Sequence, residues 1–70
     1  MHNIRAEAQC VLDHAIPGVE YFARDAKDWG LSINEAVHGI EALVSMRRAR
    51  VTWHSPMRFM VLPLDQLDRE

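Results

Sequence analysis

The spacing of apolar residues changes once along this chain, at about Arg48, and that change limits what it can fold into. Before it, apolar side chains recur at helical intervals; after it they alternate, as in a strand. Ile4, Ala8, Val11, Leu12 and Ala15 predict a first helix over about 4–15, with Asn3 as its N-cap. Pro17 and Gly18 interrupt the pattern, and Pro17 suits the first position of a second helix over about 17–28. Its apolar face is Val19, Phe22, Ala23 and Ala26, continuing to Trp29. Gly30 then fits a left-handed C-terminal position that a residue with a Cβ adopts only under strain.

Ser32 followed three residues later by Glu35 has capping-box spacing and opens a third helix over about 33–48. Its apolar stripe is Ile33, Ala36, Val37, Ile40, Leu43 and Val44. Asn34, Glu35, His38, Glu41, Ala42, Ser45 and Arg48 face away from it. Gly39 costs this helix about 1 kcal/mol relative to alanine, a cost that close packing against another backbone would justify. The alternating segment reads as a hairpin over about 50–62. Val51 and Trp53 point one way, Thr52 and His54 the other, and Ser55-Pro56 turns the chain. Phe59 and Val61 lie on one face of the return strand, and Arg58, Met60 and Leu62 on the other. Pro63 ends it. In the tail, residues 63–70, Leu64 and Leu67 share a side, either capping the core or forming a dimer contact.

Seventy residues make one domain, 1–70, with a thin stability margin. A 49% hydrophobic and 26% charged composition excludes disorder. The net charge of -2 excludes a protein that simply coats phosphate, so any nucleic-acid contact must come from a local patch. A single cysteine, Cys10, excludes a disulfide within the chain. The longest apolar run, Phe59 to Leu62, is far too short for a membrane span. The N-terminus shows no basic stretch followed by an apolar core, and a cytoplasmic location is expected.

The stretch Phe22-Ala23-Arg24-Asp25-Ala26-Lys27-Asp28-Trp29-Gly30-Leu31-Ser32 resembles the winged helix-turn-helix family of small repressor-like DNA-binding domains. Ala26 and Gly30 match the family's small residue four positions before the turn glycine, and Leu31 its apolar residue after it. The family places a β-branched residue six positions after the glycine; here that position is Ala36, and Val37 follows. The resemblance implies an α+β fold: three helices and a C-terminal two-stranded β-hairpin wing.

It also implies a transcription regulator that binds double-stranded DNA. The third helix would read bases through Asn34 and His38, and Arg47, Arg48, Arg50, His54 and Arg58 would meet the backbone. Three neutralised phosphates would give a log-log salt slope of roughly -3. Against this stand Glu35, Glu41 and the lack of lysine or arginine between Leu31 and Met46. The alternative is a protein-interaction module that docks a basic partner through the acidic third helix, with Tyr21, Met46, Met57 and Met60 as a nearby apolar edge. A homodimer through the first helix or the tail fits either reading.

No other chemistry is expected. Cys10 and His14 can converge on the first helix, yet His2, His38 and His54 are scattered and no Cys-x-x-Cys occurs, so no metal or other cofactor is expected. Asp25 and Asp28 read as a solvated face. The chain shows no catalytic motif and no small-molecule site, and reads as a binding protein. Trp29 and Trp53 read as core residues.

Overall fold

The computed structural model describes residues 5–63. Over these residues the architecture is α+β, with three helices and a three-stranded antiparallel sheet. Helix α1 (Ala6–His14) is followed by strand β1 (Glu20–Phe22), a 3-10 helix (Ala23–Trp29), helix α2 (Ile33–Ser45), and strands β2 (Ala49–His54) and β3 (Met57–Val61). The sheet order is β1-β3-β2, so the last strand lies in the centre.

The expected second helix is the largest correction. Residues 17–28 do not form one helix: Gly18 turns the chain at φ 85, Glu20–Phe22 is strand, and helix begins only at Ala23. Tertiary pairing decides this. Glu20, Tyr21 and Phe22 lie opposite Met60, Phe59 and Arg58, and the Gly18 N–H donates to the Val61 carbonyl at 2.8 Å. Val19, assigned to a buried helix face, is exposed. The remaining segment winds at three residues per turn, which places Ala23, Ala26 and Trp29 in one line. Ala23 and Ala26 are buried and Trp29 is half-buried on that side. The Asp25 carboxylate accepts from the Phe22 N–H at 2.9 Å and fixes the entry.

The other helices end sooner than the pattern suggests. Helix α1 starts after Arg5, and the expected cap Asn3 lies outside the described residues, as do Ile4, Leu64 and Leu67. Helix α2 stops at Ser45 instead of 48 because Arg47 turns left-handed at φ 61. The Arg47 and Arg48 N–H groups then close back on the Val44 and Leu43 carbonyls at 3.0 and 2.7 Å, a Schellman ending. The start of α2 is as read: the Ser32 N–H donates to Glu35 Oε1 at 2.9 Å and the Glu35 N–H to Ser32 Oγ at 3.2 Å.

The core lies between the inner face of the sheet and the two α-helices. Phe59, Ile40, Leu43 and Val11 are its largest fully buried side chains. Trp29 meets Tyr21 and Phe59 edge-on, with ring centroids 5.3 and 6.3 Å apart. Ala36 is fully buried and Val37 half-buried, so the smaller residue holds the core position. Ile33 and Val44, assigned to the apolar stripe, are exposed.

Gly30 caps the 3-10 helix at φ 90, ψ 14, with open space around its missing side chain. A Cβ there meets no atom and costs only the left-handed backbone strain. Gly30→Ala is expected to lower stability by about 1 kcal/mol, read as a lower urea midpoint at unchanged slope.

Candidate interaction surface

The structure scatters the seven residues expected to touch DNA. Asn34 and His38 are exposed on α2. His54 ends β2 at the hairpin turn. Arg47 and Arg48 follow the far end of α2, roughly 20 Å from Asn34 by helix rise. Arg50 and Arg58 pair with Met60 and Trp53 across the ladder and project from the outer face of the sheet, away from the helices. No strip of arginines therefore joins the start of α2 to the β2–β3 hairpin.

The acidic side of α2 is also smaller than its sequence suggests, because the Glu35 carboxylate is used in the cap. Glu41 shares an open cleft of about 390 Å³ with Arg5, His38, Ala42 and Ser45. The proposed apolar edge does not form. Tyr21 faces the core, Met57 is half-buried, Met60 lies on the outer sheet face, and Met46 sits at the end of α2.

What the strands do assemble is an outer face of aromatic rings and arginines. Between Val51 and Trp53 the ladder slips by one residue, so Val51 faces Phe59 and Trp53 faces Arg58. This bulge turns Trp53 outward, where it is 55% exposed. The expectation that Trp53 packs in the core is overturned for that reason. The Arg58 guanidinium then lies between two rings, 5.1 Å from the Phe22 centroid and 5.9 Å from that of Trp53. Arg24, at the start of the 3-10 helix, lies over the same Phe22 ring at 4.1 Å.

Glu20 completes the arrangement. Its Oε1 lies 3.4 Å from Arg58 Nη1, and its Oε2 accepts from the Thr52 hydroxyl. One carboxylate on β1 thus reaches across β3 to β2 and ties the three strands together on this side. The chain matches no known protein family, curated protein or solved structure. The surface must therefore be read from its own chemistry.

Beside the Phe22 end of this face is an apolar groove of about 320 Å³, lined by Phe22, Ala23, Ile33, Val37, Pro56 and Met57, with Arg24 its charged residue. The N-terminal half of α2 and the hairpin turn meet here, and Ile33 is 53% exposed. A helix over 17–28 and a stripe through Ile33 assign Phe22 and Ile33 to buried faces, and Arg24 to a polar side with no link to Phe22. The aromatic–basic pairs were visible in composition; only strand register brings them together.

Cys10 and His14 converge as their spacing implied. The Cys10 Sγ lies 3.7 Å from His14 Nδ1 and 3.3 Å from the Trp29 carbonyl oxygen, and the His14 ring stacks on Trp29. Among the described residues, no three side chains of metal-binding type come together. In the same region no helix is long and apolar enough to cross a membrane.

Proposed function

We propose that this chain is a winged helix-turn-helix domain that works as a protein-recognition module, with the outer face of its sheet as the binding surface. The family reading is supported by the element order, the left-handed Gly30 turn before α2, and a hairpin that follows α2 and pairs with β1. Function must be argued from the site, since this fold serves many roles. The observation that carries it is Arg58 held between Phe22 and Trp53 on a face that the described helices leave open. Tryptophan, arginine, phenylalanine and methionine are the residue types enriched where proteins bind one another. Here Trp53, Arg50, Arg58, Phe22 and Met60 lie together on one side.

The test compares surfaces. A tagged chain and its Trp53→Ala and Glu41→Arg variants are used to recover partners from the source cells. A stoichiometric partner lost with Trp53→Ala and kept with Glu41→Arg supports the reading. A partner lost only with Glu41→Arg transfers recognition to α2 and a basic partner.

A second reading, binding of double-stranded DNA, is favoured by Asn34 and His38, which stand exposed on α2. Asn34 has the donor and acceptor pattern to pair with adenine, and exposed Ile33 fits a thymine methyl. With the arginines of residues 47–58 placed elsewhere, few phosphates are neutralised, and the salt slope becomes about -1 instead of -3. Anisotropy titrations of duplex DNA at two salt concentrations separate the readings. Protein recognition predicts no salt-dependent duplex binding, for the chain and for Glu41→Arg alike. DNA binding predicts that Glu41→Arg tightens the complex.

A further inference from the structure

We infer that the partner presents an acidic segment with an apolar side chain, seated across the outer face of the sheet; this rests on reading that face as the binding surface. Charge pairing decides the partner's sign. Arg24, Arg50 and Arg58 stand on this face and its rim, and Glu20 is the one acidic residue of the strands there. Both oxygens of Glu20 are engaged, one by Arg58 and one by the Thr52 hydroxyl. Among the described residues, Arg24 and Arg50 have no carboxylate partner. Arg24 is held over the Phe22 ring, so its guanidinium is positioned before any ligand arrives.

Arg24, over Phe22 at the β1 edge, and Arg50, on β2, stand on opposite sides of Arg58 and Met60, and the pair fits carboxylates spaced along an extended or helical segment. Trp53 and Met60 supply apolar surface beside Arg58, and the groove beside Phe22 extends it. Contact here removes apolar surface from water and gives Arg24 and Arg50 charge-assisted partners in one step.

Two other occupants are disfavoured by the same geometry. A second copy related by a two-fold axis would bring the same arginines face to face, and like charges oppose that contact. A single nucleic-acid strand would satisfy the charges but needs successive aromatic faces for its bases. Of the two rings, Phe22 carries Arg24 and Arg58 and Trp53 carries Arg58, which leaves no run of free aromatic faces.

The experiment uses the ¹⁵N-labelled full chain and four probes: synthetic peptides of equal length with a leucine core flanked by glutamates, by serines or by lysines, and an oligothymidylate. The expected result is that the glutamate peptide alone shifts the amide signals of Phe22, Arg24, Arg50 and Trp53. The exposed double change Arg24→Glu with Arg50→Glu then weakens it about tenfold or more with the fold retained. Serine or lysine peptides that bind this face equally well overturn the acidic partner and leave the binding surface standing. Oligothymidylate that shifts these signals at lower concentration than the glutamate peptide overturns it in favour of a nucleic-acid strand. If no probe moves these signals, the surface reading falls together with the inference.

Discussion

Gly39→Ala is expected to lower the stability of this domain by about 2 kcal/mol, although alanine is the best helix former and glycine among the worst. In an open helix the same change would gain about 1 kcal/mol, through helix propensity and a less flexible unfolded chain. Here α1 crosses α2 at Gly39. A Cβ built on it would lie 2.8 Å from the Glu7 carbonyl carbon, 2.9 Å from its oxygen and 3.0 Å from the Ala8 nitrogen. All three are backbone atoms, so no side chain can swing away. Helix α1 must retreat as a body, and Ala8 and Val11, both fully buried, retreat with it. The overpacking penalty exceeds the propensity gain, and a domain of this size has only a few kcal/mol in total. Thermal unfolding should show a midpoint lower by about 10 °C. A midpoint that rises would mean that the two helices do not approach as closely as described.

That contact also marks how far the sequence can be read. Gly39 stood out because it violates helix propensity inside an otherwise regular stripe, and a violated rule points to a tertiary reason. Ser32 with Glu35, Gly30 and the Ser55-Pro56 turn were legible for a related reason: each acts within a few residues of itself. Strand β1 was not. Its three residues, Glu20–Phe22, follow a proline and a glycine and precede a real helix, so a helical period absorbs them. They are strand only because β3, nearly forty positions later, offers an open edge. The candidate surface depends on the same kind of long-range fact. One extra residue at Thr52 reverses the direction of Trp53, and nothing in an alternating pattern announces a bulge. Arg47, Arg48, Arg50 and Arg58 form a cluster in sequence. Whether they form a cluster in space was decided by the end of α2, where Arg47 turns the chain, and by the sheet, which sends Arg50 and Arg58 to the side opposite the helices.

The sharpest separation of fold from function comes from two aromatic residues of the same hairpin. Phe59→Ala is expected to cost about 3–5 kcal/mol, enough to unfold most or all of the population. Phe59 is fully buried at the centre of the sheet, against the rings of Tyr21 and Trp29, and truncating it opens a cavity there. Trp53→Ala removes a larger side chain and is expected to change stability by less than about 0.5 kcal/mol. Trp53 is 55% exposed; its ring contacts Arg58 at the edge of cation–π range, and its Nε1–H donates to the Ser55 carbonyl at 3.2 Å. Urea unfolding of the two variants reads the difference directly. A tryptophan that contributes little to its own fold while keeping an arginine stacked at the surface is what a recognition face requires, so Trp53→Ala should abolish partner capture while the unfolding curve stays in place. If Trp53→Ala proves as destabilising as Phe59→Ala, the bulge is misplaced, Trp53 belongs to the core, and the outer face loses the ring that defines it.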